Sequence, residues 1–250
     1  MTIAYAFVFL HSWIKLRGKN TIIFFTIMYA FGFISELLGA KYGWIFGNYY
    51  YNSDTFFFGV EPFMTPISWT IIIYTAYTIT NLLLSGFNRE KFSIQYKILP
   101  AGAILLIILS SIDGLIAMNL DMILDPVNVD SSIAGWVWID GGPYYNIPIS
   151  NFIGWFLVTF LATIIFRFYS TIYNKKENIV TLLDYTIPIL YLMYLVLHSA
   201  LALHEGHQEL VLIGVAAMIP FILIMSLSFF FDVFRIKKMN NLSRQSNEKK

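Results

Sequence analysis

The sequence predicts an all-α membrane protein, a helical bundle of about seven transmembrane helices, with the N-terminus outside and the C-terminus in the cytoplasm. Of its 250 residues, 58% are hydrophobic and 12% are charged, whereas roughly a quarter of the residues in a typical soluble domain carry charge. Apolar runs of about 18 residues or more recur, each long enough to cross a hydrocarbon layer of roughly 30 Å. Basic residues also collect in every second connection. These observations exclude a soluble protein.

The apolar runs place the helices near residues 2–14, 20–39, 65–86, 97–124, 149–172, 181–203 and 209–235. We expect residues 1–238 to form a single transmembrane domain and residues 239–250 to form a disordered cytoplasmic tail. The first run lacks the basic start and the small-residue cleavage site of a signal peptide. It therefore predicts a short first helix.

The basic residues predict the orientation. Fifteen of the 16 lysines and arginines fall in segments that seven alternating spans place on one side, and Lys41 is the exception. The positive-inside rule makes that side cytoplasmic and predicts a multi-pass protein of the cell membrane. The fifteen are Lys15, Arg17, Lys19, Arg89, Lys91, Lys97, Arg167, Lys175, Lys176, Arg235, Lys237, Lys238, Arg244, Lys249 and Lys250.

The two long connections on the opposite side, 40–64 and 125–148, are rich in glycine and aromatic residues. They contain the runs GWIFGNYYY (43–51) and WVWIDGGPYYNIP (136–148). Interfacial anchoring of tryptophan and tyrosine explains any single aromatic residue. It explains less well why two loops on one face share a composition of glycine and aromatic residues. Loops of about 20 residues usually cover a binding or active site.

Carboxyl groups lie inside the predicted spans, where ionisable side chains mark function by default. Predicted helix four carries Asp113 and Asp121, and Asp125 follows directly at its end, at spacings that place all three roughly on one face. Glu36 lies near the outer end of predicted helix two, and Asn151 begins predicted helix five. Each has a structural alternative, as a hydrogen-bond partner, a helix end or a helix cap. Their convergence at one depth beside aromatic residues favours a functional site.

Composition excludes several other chemistries. A net charge of +1 lacks the excess of basic residues that nucleic-acid binding requires. The chain has no cysteine and four histidines, too few for a membrane di-iron hydroxylase. Residues 209–235 contain no lysine for a retinal Schiff base. HEGH (204–207) differs from the H-E-x-x-H zinc spacing, so a metal at His198, His204 and His207 is only a minor alternative and we expect no metal or cofactor.

An ordered set of motifs resembles the carotenoid biosynthesis membrane protein family, which includes bisanhydrobacterioruberin hydratases and carotenoid 1,2-hydratases. The resemblance covers roughly residues 10–230. Its motifs are ELLG (36–39), GWIFGNYYY (43–51), GVEP (59–62), PISW (66–69), DMILDP (121–126) and WVWIDGGPYYNIPISNFIGW (136–155). It implies a lyase that adds water across a terminal isoprenoid C=C of a carotenoid, such as a bacterioruberin-type precursor, giving a tertiary alcohol. The implied partners are a hydrophobic substrate from the lipid phase and other enzymes of carotenoid or lipid biosynthesis.

The candidate residues suit this chemistry independently. Protonating such an alkene leaves a tertiary carbocation, and a carboxyl in an apolar environment keeps its proton because desolvation disfavours the charged form. Asp121 with Asp125, or Asp121 with Glu36, would form the acid–base pair, and Asp113 is the deepest candidate. Aromatic faces would stabilise the cation. The substrate-binding candidates are Trp69, Tyr49, Tyr51, Trp136, Trp138, Tyr145 and Asn151.

Three alternatives stay open. The same site would serve a hydratase of the prenyl chains of archaeal ether lipids, of the hydroxyarchaeol type. A lipid or ion transporter would use the carboxyls as a proton relay. Its broken helices in matching halves are not evident in the sequence, although Pro188 and Pro220 lie inside predicted helices six and seven. A third alternative is a membrane scaffold for other pathway enzymes.

Overall fold

The computed structural model describes residues 1–52, 64–85, 100–129, 135–173 and 181–247, and the architecture within them is a helical bundle. These residues form seven α-helices and two short strands. The helices are α1 (Thr2–Ser12), α2 (Gly18–Tyr42), α3 (Met64–Ser85), α4 (Pro100–Asn128), α5 (Ile149–Tyr173), α6 (Ile187–His204) and α7 (Gln208–Asn247). The strands are β1 (Tyr49–Tyr51) and β2 (Trp136–Trp138). A π-helical turn (Trp13–Arg17) follows α1, and a 3₁₀ turn (Leu182–Thr186) precedes α6.

The helices are those of a membrane protein. In the described part of the chain, five helical stretches are long and apolar enough to cross a bilayer: Thr2–Tyr42, Gly102–Asn128, Ile149–Tyr173, Leu182–His204 and Gln208–Phe231. The first of these combines α1, the π-helical turn and α2. The prediction of an all-α membrane bundle is thereby confirmed, with the two strands as a small addition.

The first two helices form an antiparallel hairpin that reverses at Arg17. Arg17 has a φ of 67°, which no residue inside an α-helix adopts. Beyond the reversal, the Thr21 hydroxyl donates to the Ser12 carbonyl at 2.8 Å, and the ring of Phe25 packs edge-on against Phe9 at 5.2 Å. Because α1 has 11 residues, it is as short as the sequence predicted.

Small residues let the helices approach closely, as is usual in membrane bundles. A Cβ added at Gly114 of α4 would lie 2.7 Å from the Phe156 ring and 2.8 Å from its carbonyl oxygen on α5. A Cβ at Gly32 of α2 would lie 2.7 Å from the Cβ of Trp69 on α3. These contacts fix the spacing of the helices that carry the carboxyl groups.

The two aromatic connections meet as an antiparallel pair of strands, named here the β1–β2 ribbon. Its register pairs Tyr49 with Trp138, Tyr50 with Val137 and Tyr51 with Trp136. Alternate residues of a strand face the same side, so Tyr49, Tyr51, Trp136 and Trp138 share one face. The two loops that share a composition therefore also share a structure.

Several helix boundaries differ from the prediction, and the end of α4 has a clear physical reason. Predicted helix four ends at 124, but α4 continues through Pro126 to Asn128. Pro126 has no N–H for the Met122 carbonyl four residues earlier, and the Tyr144 hydroxyl donates to that carbonyl at 2.7 Å instead. Predicted helix seven ends at 235, whereas α7 extends to Asn247. After Pro220 that helix contains no proline or glycine to end it; residues 248–250 lie outside the described residues.

Candidate active site

The candidate site is a cavity of about 310 Å³ beneath the β1–β2 ribbon. Its walls come from one end of the bundle, where α2, α4 and α6 end and α3 and α5 begin. The volume lies at the small end of the range for ligand pockets, roughly 300–1,000 Å³. Two carboxyl groups, Glu36 and Asp125, face it together with tryptophan and tyrosine side chains.

Glu36 joins α2 to α3 and to the β1–β2 ribbon. Its Oε1 accepts a hydrogen bond from Trp69 Nε1 at 2.7 Å. Its Oε2 accepts from the hydroxyls of Tyr49 at 2.6 Å and Tyr51 at 2.5 Å. Burial and the nearby Glu36 raise the pKa of both tyrosines well above its usual value, so their hydroxyls stay donors. Three donors therefore converge on one carboxyl group that is only 6% exposed.

A second carboxyl cluster lies at the end of α4. Asn151 Nδ2, in the first turn of α5, donates to Oδ2 of both Asp121 and Asp125, at 2.8 Å each. Trp136 Nε1 donates to Asp125 Oδ1 at 2.5 Å. Asp121 is fully buried, and its Oδ1 has no hydrogen-bond partner in the described part of the chain. Asp125 lines the cavity, and Asp121 lies one helical turn deeper behind it.

Asp113, the deepest of the predicted catalytic residues, does not line the cavity. Arg167 of α5 binds it through two nitrogens: Nε lies 3.0 Å from Oδ2, and Nη2 lies 2.9 Å from Oδ1 and 2.8 Å from Oδ2. Arg167 also donates to Asn81 at 2.9 Å and lies 4.3 Å from the centre of the Tyr77 ring. The structure thus separates Asp113 from the other three carboxyls and gives it a structural partner.

Arg167 does not belong to the basic residues that lie at the predicted cytoplasmic side. The sequence placed it beside the connection between predicted helices five and six, whereas it lies inside α5 and is 6% exposed. A helical arginine can turn inward when a carboxylate on the facing helix pairs with it. Sequence spacing alone does not reveal that partner.

Six of the seven predicted substrate-binding residues line the cavity, namely Tyr49, Tyr51, Trp69, Trp136, Trp138 and Asn151. The exception is Tyr145, whose backbone has a φ of 48°. Its ring packs against Tyr144 at 4.9 Å and His207 at 5.9 Å. The structure therefore places Tyr145, in the connection before α5, beside the start of α7 and outside the lining of the cavity.

The lining also includes Trp155, Tyr194 and His198, which were not among the predicted substrate-binding residues. The Trp155 ring packs against Trp69 at an interplanar angle of 32°, with centroids 4.2 Å apart. Trp155 closes the longest of the recognised motifs, so its position in that run was a signal that could have identified it. Tyr194 and His198 are one turn apart on α6 and present their side chains on one face.

The histidines give no support to the alternative of a metal site. His198 is 6% exposed within the bundle, whereas the His204 side chain is 82% exposed. Among the described residues, no three histidine or carboxylate side chains are placed to hold a metal ion.

Comparisons with known proteins agree with the motifs. The chain is similar to a bisanhydrobacterioruberin hydratase of Haloarcula japonica, 29% identical over 144 residues, which cover 56% of this chain and 42% of that protein. The chain thus matches less than half of the relative's length. No solved structure matches the chain. The family model described as "carotenoid biosynthesis protein" matches residues 1–221, so the chain belongs to the carotenoid biosynthesis protein family.

Proposed function

We propose that the protein is a membrane hydratase that adds water across a terminal isoprenoid C=C of a carotenoid and gives a tertiary alcohol. The observation that carries the proposal is a small cavity in which two carboxyl groups face a lining of aromatic rings. Family membership and the printed name of the relative from Haloarcula japonica support the same reaction. The precursor of a bacterioruberin-type carotenoid is the substrate we expect.

The first step is protonation of the alkene at its less substituted carbon. Asp125 is the acid, because it faces the cavity. Asp121 stands behind it and shares the single amide donor of Asn151. Two carboxyl groups this close in a dry site do not both ionise readily, so the pair holds one proton between them. General acid catalysis of this kind contributes about 10²–10⁴-fold to the rate.

The second step is stabilisation of the carbocation. The faces of Trp69, Trp155 and Trp138 line the cavity, and each suitably placed ring contributes about 0.5–2 kcal/mol. Glu36 lies in the same lining, and as a carboxylate it would stabilise a nearby cation. Three donors occupy its oxygens, so we assign it electrostatic stabilisation and anchoring of the β1–β2 ribbon, and not proton transfer.

The size of the cavity sets how the substrate binds. A volume of about 310 Å³ holds the end of an isoprenoid chain and not a whole carotenoid. The remainder of the chain lies along the helices or in the lipid, which matches lateral entry from the membrane. The reaction then requires no metal or organic cofactor.

We further propose seven crossings of the cell membrane, with the N-terminus outside and the C-terminus inside. The carboxyl end of the bundle then faces outwards. Fourteen of the 16 basic residues support this orientation, because Lys41 lies on the other side and Arg167 is paired within the bundle.

The test is expression of the full chain in hosts that accumulate lycopene, bisanhydrobacterioruberin or geranylgeranyl ether lipids, followed by mass analysis of extracted lipids. Addition of one water to a carotenoid, lost in Asp125→Asn and retained in His204→Asn, supports the proposal. Addition of water to the ether lipid alone would instead identify a prenyl-lipid hydratase. No mass change with any lipid, from a folded and inserted protein, would favour a transporter or a scaffold.

A further inference from the structure

We propose that His198 is a second catalytic residue of this cavity, the base that removes a proton from the water captured by the carbocation. The inference rests on the proposed hydratase function and extends it. It assigns separate groups to the two proton transfers, with Asp121 and Asp125 protonating the alkene and His198 deprotonating the water.

The hydrogen bond of His198 fixes which ring nitrogen is free. Its Nδ1 lies 2.8 Å from the backbone carbonyl oxygen of Tyr194. A carbonyl oxygen only accepts, so Nδ1 carries the hydrogen and the neutral ring keeps its lone pair on Nε2. Within the described residues, Nε2 makes no hydrogen bond with the protein. The imidazole is therefore held in the tautomer that a base requires.

The environment of His198 fixes the orientation of its ring. The ring lies nearly parallel to Tyr194, with an interplanar angle of 18° and centroids 5.9 Å apart. The residue is 6% exposed, and it contributes to the lining of the same cavity as Asp125. A buried imidazole without a charged partner in the described part of the chain is costly unless it is neutral, which is the state that accepts a proton.

Other groups of the lining are less suited to this role. The two oxygens of Glu36 together accept three hydrogen bonds. Both oxygens of Asp125 also accept, from Trp136 and Asn151. Tyr49 and Tyr51 keep their protons because burial raises their pKa. Of the carboxylate and imidazole acceptor atoms in the lining, only Nε2 of His198 receives no hydrogen bond from the described residues.

The complete sequence balances without any further reactant. The π electrons of the alkene take the proton shared by Asp121 and Asp125, leaving a carboxylate and a tertiary cation. A lone pair of water forms the C–O bond, and Nε2 of His198 takes a proton from the resulting oxonium. The products are the tertiary alcohol and an imidazolium. A proton then passes from the imidazolium to the carboxylate, through water, and both groups return to their starting states.

Isotope partitioning in D₂O separates the two proton transfers. A cation that forms but is not captured as alcohol loses a proton and returns to alkene, and in D₂O that alkene carries deuterium. The assay uses membranes that contain the full chain and the carotenoid that the wild type hydrates. It measures the alcohol and the deuterium content of the recovered alkene together.

His198→Asn keeps a side-chain donor near the Tyr194 carbonyl but removes Nε2. We expect alcohol formation to fall by about 10²-fold or more, while the recovered alkene gains deuterium. Asp125→Asn should lose both alcohol and deuterated alkene, because no cation forms. His204→Asn on the exposed end of α6 is the matched control and should keep both at wild-type levels. Added imidazole should restore alcohol formation to His198→Ala, an effect that a merely structural residue would not show.

Two results would overturn the inference. One is wild-type alcohol formation in His198→Asn. The other is equal loss of alcohol and of deuterium exchange in a variant that is folded, as judged by its size-exclusion profile and thermal unfolding. Failure of the wild-type protein to hydrate any substrate is a different result, and it would count against the proposed function itself.

Discussion

Removing the carboxylate of Asp113 should destabilise the protein without touching the cavity. The side chains of Arg167 and Asp113 are only 5% and 0% exposed, and two guanidinium nitrogens bind the carboxylate. In Asp113→Ala the guanidinium keeps, within the described part of the chain, only Asn81 and the face of Tyr77. Removing one partner of a buried ion pair typically costs about 3–5 kcal/mol because the other charge is left uncompensated. The ratio of folded to unfolded protein should therefore fall by more than about a hundredfold.

The measurement is reversible unfolding in mixed micelles of a mild detergent and sodium dodecyl sulfate, followed by circular dichroism. The control is the double variant Asp113→Leu/Arg167→Met, which replaces both charges with apolar side chains. Such replacements are often neutral or stabilising, so the double variant should recover most of the lost free energy of unfolding. It should also hydrate its substrate normally per folded molecule, because neither residue lines the cavity.

Two outcomes would refute this reasoning. A loss below about 1 kcal/mol in Asp113→Ala would mean that the pair is solvated, as surface pairs are. A stable double variant that no longer hydrates would return Asp113 to the chemistry, where the sequence had placed it.

Three further changes test the ribbon, the connection before α5 and the topology. Glu36→Gln places an amide donor against the hydroxyls of Tyr49 and Tyr51, which already donate. The free energy of unfolding should fall by about 1.5–3 kcal/mol, and backbone hydrogen exchange in the β1–β2 ribbon should become faster. Gly142→Ala should destabilise by about 1–3 kcal/mol, because the added Cβ would lie 2.0 Å from the Ile147 carbonyl oxygen; thermal unfolding measures this. Single cysteines introduced into this cysteine-free chain report orientation: an impermeant maleimide should label His204→Cys in intact cells and Lys19→Cys only after permeabilisation.

Each of these has a control or a contradicting result. Unchanged exchange in the ribbon of Glu36→Gln would show that Glu36 does not anchor it. Gly135→Ala is the control for Gly142→Ala, because among the described residues its Cβ would meet only the Asn128 carbonyl oxygen at 3.4 Å, and its effect should be small. Labelling of Lys19→Cys but not His204→Cys in intact cells would reverse the proposed orientation.

Most of the fold was predictable because its signals are local. The predicted helix at 149–172 corresponds to Ile149–Tyr173, since an apolar run in a membrane must satisfy its own backbone as a helix. The end of α4 was not predictable. Whether a helix continues through Pro126 depends on a donor for the Met122 carbonyl, and that donor is Tyr144 on a distant connection.

The sequence predicted at which end of the bundle the candidate site lies, but not which residue is hydrogen-bonded to each carboxyl group. Glu36, Asp121 and Asp125 lie at one end of the bundle because their positions along the helices place them there. Spacing along α4 could not separate Asp113 from Asp121, since the difference lies in what α5 offers each of them: Arg167 to one and Asn151 to the other. Similarly, Tyr145 follows Tyr144 in sequence, but its positive φ turns it away from the site.

The cavity and its cover together restrict how such an enzyme works. The β1–β2 ribbon supplies Tyr49, Tyr51, Trp136 and Trp138 to the lining, and hydrogen bonds to Glu36 and Asp125 hold it against α2 and α4. Because the same residues close the cavity and contact the carboxyls, the site is complete only when the ribbon is in place. A cavity of about 310 Å³ then admits one end of an isoprenoid chain. In the proposed hydratase, a substrate with two reactive ends would have to leave and return by its other end, so we expect the singly hydrated carotenoid to appear as a free intermediate.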